Sequence, residues 1–117
     1  MNRVLITFLL CFLFLAPGRL FASNHNIVTG TYLVNGECDQ CKKRIEDAAY
    51  IKGVKYANWN VETHNLTVKY DSSKTSSELI LKSIVKAGHD SENMIATDDD
   101  YNKLPSCCKY RSVIKKH

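Results

Sequence analysis

The apolar positions of the chain change period several times, and each change marks an element. Between residues 27 and 34, Ile27, Val28, Tyr32, Leu33 and Val34 crowd β-branched and aromatic side chains into a short run, which predicts a first strand. Asn35-Gly36 interrupts it with turn chemistry. From Gln40 to about Ile51 the period becomes helical. Cys41, Ile45, Ala48 and Ala49 share one face, and Lys42, Lys43, Arg44, Glu46 and Asp47 fall mostly outside it. Cys41 therefore starts the buried stripe, and Gly53 is expected to end the helix. Residues 54–61 predict a second strand, with Ala57, Trp59 and Val61 alternating toward one side. After a turn at Glu62-Thr63-His64-Asn65, Leu66, Val68 and Tyr70 alternate in a third strand, so the two form a hairpin. Thr75 and Glu78 read as a capping box for a second helix with Ile80, Leu81, Ile84 and Val85 on its apolar face, closed by Gly88. Residues 92–97 supply a short fourth strand.

The order β-α-β-β-α-β predicts an α+β, ferredoxin-like fold: an antiparallel four-stranded sheet with two helices on one face. After it comes a tail with Asp98-Asp99-Asp100, the adjacent Cys107 and Cys108, and a basic end. At the opposite end, Met1-Asn2-Arg3 precedes an almost wholly apolar run from Val4 to Pro17, and Leu20-Phe21-Ala22 offers a small residue for cleavage. That is the layout of a secretory signal, and the run is too short to span a bilayer comfortably. The expected organisation is a signal peptide over 1–22, one folded domain over 23–97 and a cysteine-containing tail over 98–117. Membrane contact is confined to the signal before its removal, and the mature chain is exported, periplasmic or secreted.

Without Arg3 and Arg19, 14 Lys and Arg remain against 12 Asp and Glu, so the mature chain is only slightly basic. With no basic patch interleaved with aromatics, nucleic acid is excluded as the expected partner. The candidate chemistry lies in Cys38-Asp39-Gln40-Cys41. Cysteines on a turn feeding a helix N-terminus face the positive end of the helix dipole and unpaired N–H groups, which favours thiolate, the form that ligates metal. Two thiolates suit a soft d¹⁰ ion, Cu(I) first, with Hg(II), Ag(I) or Zn(II) behind it. No convergent His and carboxylate set provides an open catalytic zinc site, so an enzyme is not expected. In an oxidising compartment a structural or redox disulfide is the competing use of the pair.

Three further residues are candidate ligands. His89 follows Gly88 in the loop that faces the first strand–helix turn, where an imidazole could be a third ligand or a hydrogen-bonding support; a solvent-exposed histidine after a helix cap is the plainer reading. Cys107 and Cys108 are neighbours and poorly suited to pairing with each other. They could add thiolates to the same ion, hold a second one, or form disulfides with Cys38 and Cys41. Lys42, Lys43 and Arg44 could offset a bis-thiolate charge or steer an acidic partner, or simply be a solvated helix face.

A strand followed by Gly36-Glu37-Cys38-Asp39-Gln40-Cys41, a Lys-rich helix, Gly53-Val54, a hairpin and Ala87-Gly88 resembles the heavy-metal-associated domain. That family includes copper chaperones, the metal-binding domains of copper-exporting P-type ATPases and the periplasmic mercury-binding protein. The resemblance covers about residues 27–97. It implies Cu(I) binding and transfer or sequestration through Cys38 and Cys41, with a mercury or other heavy-metal scavenger as the alternative. The implied partners are a copper-transporting ATPase domain or another exported copper protein, and the implied states are a monomer or a metal-bridged dimer. Two departures stand out. The family's Gly-Met-x-Cys-x-x-Cys is shortened by one residue and lacks its methionine, and His89 occupies a position where the family often has Tyr or Phe.

Overall fold

Three strands and two longer helices form where the apolar periods place them. In the computed structural model, which describes residue 18 and residues 26–114, the first strand is β1 (Ile27–Leu33) and the first helix α1 (Asp39–Ala49). The hairpin strands β2 (Val54–Trp59) and β3 (Asn65–Asp71) follow, then α2 (Ser77–Lys86). The expected signal segment lies, but for Gly18, outside the described residues. The sheet is antiparallel throughout, in the order β1-β3-β2. Val68 pairs with Gly30 on one side and Ala57 on the other, and Leu66 pairs with Tyr32 and Trp59. This register turns Ala57, Trp59, Leu66, Val68 and Tyr70 to one face, where Cys41, Ile45 and Ala49 of α1 and Ile80, Leu81 and Ile84 of α2 cover them. The other face shows Thr29, Thr31, Asn58 and Lys69 to solvent.

Element ends shift by a residue or two, and the shifts have causes. α1 stops at Ala49 rather than near Ile51: the Tyr50 amide still makes the helical bond to Glu46 C=O, but Tyr50 leaves helical geometry at ψ 55, and the Ile51 amide bonds the Ala49 carbonyl two residues back instead of continuing the helical ladder. α2 is capped by Ser76, whose hydroxyl accepts from the Leu79 N–H at 3.3 Å. The expected cap Thr75 instead lies one residue outside and buried.

The expected fourth strand is not formed among the described residues. Pairing with β1 begins, through Asn35 N–H to Asp90 C=O at 2.8 Å and Glu92 N–H to Leu33 C=O at 3.1 Å. Ser91 and Met94 then bond to each other, and the chain turns away from the sheet. Further along, the Ala96 N–H donates to Asp90 Oδ1 and the Ala96 C=O accepts from Arg111, both at 2.8 Å. Side chains thus satisfy backbone groups that a strand would have matched against β1.

The tail packs onto the domain. Thr97 caps α3 (Asp98–Asn102), accepting from the Asp100 N–H at 3.1 Å. A 3₁₀ turn at Ser106–Cys108 and the short α4 (Arg111–Ile114) follow. Leu104, Cys108 and Tyr110 belong to the same core as the sheet and helices. The Tyr110 hydroxyl donates to Gly88 C=O at 2.9 Å and accepts from the Asp90 N–H at 2.7 Å. Its ring stacks on His89 and meets Tyr101 edge-on. Arg111 bonds both Asp90 carboxylate oxygens and lies over the Tyr101 ring. No helix among the described residues is long and apolar enough to cross a membrane.

Candidate metal centre

The loop between β1 and α1 is held close to the core from below. Gly36 is buried, and a Cβ there would lie 2.9 Å from two carbons of the Trp59 ring and 3.1 Å from Cys41 Cβ. Only glycine lets the backbone pass so near the indole. Trp59 is itself fixed, its ring N–H donating to Val34 C=O at 2.9 Å. Its backbone N–H donates to Glu46 and its C=O accepts from Lys42, which also pairs with Glu46 at 2.6 Å. Lys42 is therefore engaged in tying α1 to β2, and Lys43 pairs with Asp47.

Cys38 occupies the N-cap of α1 and Cys41 its first turn. Their sulfurs are 3.9 Å apart, Cys41 fully buried and Cys38 half-buried. The Cys38 sulfur makes no formal capping hydrogen bond. Even so, the facing amides of Cys41 and then Gln40 outweigh burial and lower its pKa. One cysteine is thus accessible and inclined to thiolate, and the other is fixed to the core.

The tail brings a third sulfur. The Sγ atoms of Cys38, Cys41 and Cys108 all lie within 4.8 Å of one another. Cys108 is fully buried, and burial, followed by the neighbouring thiols, pushes its pKa up, so it stays protonated in the metal-free protein. The Cys107 carbonyl lies 3.5 Å from Cys38 Sγ. Cys107 itself points outward, with its sulfur 2.9 Å from Gln40 Oε1 and 3.9 Å from Cys108 Sγ. All four of these cysteines are free thiols.

His89 does not join the sulfur group, nor is it a solvent-exposed residue after the cap. It is fully buried, with Nδ1 2.9 Å from the Asn35 carbonyl, so it supports the loop from behind. Burial lowers its pKa, and Nε2 has no hydrogen-bond partner among the described residues. The sequence brings Cys38 and Cys41 together and offers Cys108 as one of several candidates, while the latch that positions Cys108 is formed by contacts between the tail and the segment after α2. The available signal was the spacing of Tyr101, Leu104, Cys108 and Tyr110, apolar positions too regular for a solvated tail.

The profile of the heavy-metal-associated domain matches residues 31–90, which include α1, the hairpin, α2 and both cysteines of the loop. No curated protein sequence matches the chain. Among solved structures, the chain is similar to a CopZ metallochaperone, with 32% identity over 55% of this chain and 98% of that one, at a TM-score of 0.53. It is also similar to the oxidised form of MerP from Ralstonia metallidurans, with 29% identity over 56% of this chain and 94% of that one, at a TM-score of 0.53. A copper form of CopA from Bacillus subtilis is 30% identical over 60% of this chain and 97% of that one, at a TM-score of 0.50. The protein belongs to the heavy-metal-associated domain family, and the three-cysteine cluster lies at the end of the domain where its first helix begins.

Proposed function

We propose that this protein carries a soft metal ion, Cu(I) foremost, bound as cargo by the thiolates of Cys38 and Cys41. It passes the ion to a partner protein or keeps it sequestered, and it is a binding protein rather than an enzyme. The observation that carries the reading is the 3.9 Å sulfur pair at the start of α1, one sulfur half-exposed and the other anchored in the core. An anchored ligand holds the ion in register, and an accessible one lets it exchange. Cu(I) accepts two or three sulfurs, so an incoming thiolate can bind before an outgoing one leaves, and no free ion is released. The likeness to CopZ and to copper CopA supports Cu(I) and a copper-transporting partner domain. Hg(II) is the second reading, supported by the likeness to MerP. The basic start and apolar run of residues 1–22 support export, so the cargo is handled outside the cytoplasm.

The test is anaerobic titration of the reduced protein with Cu(I), and separately Hg(II), against a competing chelator, in wild type, Cys38→Ser and Cys41→Ser. Tight one-to-one binding lost in both variants is expected, and the metal held against the stronger competition names the cargo. Binding that is weak, or indifferent to Cys38, would falsify the proposal.

A further inference from the structure

We propose that the tail closes this site: Cys108 supplies a third thiolate to the ion held by Cys38 and Cys41, and Cys107 is the surface thiol through which the ion is exchanged. This rests on the metal-carrier reading above and extends it to how cargo is kept and released. A buried cysteine is ordinarily a small apolar residue. Cys108 differs because two other sulfurs surround it, all three within 4.8 Å of one another. An ion bound to three sulfurs at about 2.3 Å in a plane holds them about 4 Å apart. The metal-free arrangement therefore needs to contract by less than 1 Å, on the order of ordinary side-chain adjustment.

The chain invests considerable structure in placing Cys108. Its N–H donates to Pro105 C=O at 2.8 Å within the 3₁₀ turn. Two and three residues on, Tyr110 and Arg111 fasten the tail to Gly88, Asp90 and Ala96, the segment following α2. The latch thus ties the third sulfur to the body of the domain rather than leaving it on a free end.

Closure fills the position that an open two-cysteine loop would leave to a partner, so a route to the ion is needed. Cys107 provides it, exposed beside Cys38, with its sulfur 3.9 Å from Cys108 Sγ and steadied by Gln40. In the exchange step the Cys107 thiol gives up its proton as its sulfur bonds to the metal. The metal–Cys108 bond then breaks, and the Cys108 sulfur takes up a proton. The ion's oxidation state does not change. A partner's thiolate displaces Cys107 in the same manner.

The test is X-ray absorption of the reduced full chain loaded with one equivalent of Cu(I), together with chelator competition and stopped-flow removal of copper by bicinchoninate. Wild type and Cys107→Ser should show three sulfurs around copper, and Cys108→Ser two. Copper affinity should fall at least about tenfold in Cys108→Ser, since even groups outside the ligand sphere commonly contribute that much. Cys107→Ser should keep wild-type affinity but release copper severalfold more slowly. Two sulfurs in wild type overturn the third ligand without relying on any variant's folding, and an unchanged release rate in Cys107→Ser overturns the exchange role. Wild type that binds neither Cu(I) nor Hg(II) would instead sink the metal-carrier reading itself.

Discussion

Tyr110→Phe removes one oxygen atom and should loosen the tail while leaving its ring contacts in place. That hydroxyl donates to Gly88 C=O and is the acceptor for the Asp90 N–H, at 2.9 and 2.7 Å, inside a site where Tyr110 is 1% exposed. A buried hydrogen bond contributes about 1 kcal/mol net, and stranding its partner adds roughly 1 kcal/mol more, so two bonds give a loss of about 2–4 kcal/mol. The stacked His89 and edge-on Tyr101 contacts survive in the phenylalanine variant, which confines the perturbation to the two bonds. The assay is peptide-resolved alkylation of Cys108, which is fully buried and reacts only when the tail lifts. A 2 kcal/mol loss of docking raises the open population, and with it the alkylation rate, about 30-fold. Urea unfolding followed through Trp59, the sole tryptophan, separates undocking of the tail from unfolding of the whole domain. If Cys108 in wild type is alkylated as fast as in the variant, the tail is not docked in solution and the reasoning about the latch is wrong.

Other perturbations probe the supports of the site. Gly36→Ala drives a methyl group to 2.9 Å from the Trp59 ring, and should cost about 1–3 kcal/mol in urea unfolding and weaken metal binding together. Gly88 has φ +104 and a Cβ there would meet the Asp100 carbonyl at 2.9 Å, so Gly88→Ala should lower the melting temperature and speed Cys108 alkylation. Because burial lowers the His89 pKa, the unfolded chain binds its proton more readily than the folded one. Stability of the metal-free protein should therefore decline as pH drops below the unfolded value of about 6.5, and that part of the decline should be absent in His89→Phe. At Asp90, burial raises the carboxyl, but hydrogen bonds from Arg111 and the Ala96 N–H outweigh it and hold the pKa below the usual range. Its contribution should be complete above the unfolded value of about 3.9 and vanish as pH falls through the lower folded value. Asp90→Asn should thus be less stable at neutral pH and flatter in acid.

What the sequence disclosed depended on whether the interactions were local. The helical stripe of Cys41, Ile45 and Ala49 and the alternation of Leu66, Val68 and Tyr70 follow from period alone, and both turn up buried where expected. The Cys38–Cys41 pair was legible for the same reason, since three residues on one helical turn bring two sulfurs together whatever the rest of the chain does. The fate of residues 92–97 was not local. Those residues have adequate strand character, but Asp90 and Arg111 satisfy the Ala96 backbone, and Arg111 is fifteen positions away from Ala96. Cys108 was obscure likewise: the spacing of apolar positions marks the tail as packed, but its meeting with Cys38 depends on Tyr110 and Arg111 finding Gly88 and Asp90, and periodicity does not name those partners. His89 illustrates a third case. Its position in the loop was readable, but its burial under Tyr110 and its bond to Asn35 were not, because both rest on how the tail and the first loop meet.

The central claim is that Cys38 and Cys41 hold a soft metal ion, and protection of those thiols tests it most directly. The reduced protein would be alkylated with and without one equivalent of Cu(I), and each cysteine followed by peptide mass spectrometry alongside a native mass measurement. One copper per chain, with strong slowing of alkylation at Cys38 beyond its metal-free rate and none at a denatured control, is the expected result. Copper that binds while Cys38 reacts as fast as before would contradict the claim.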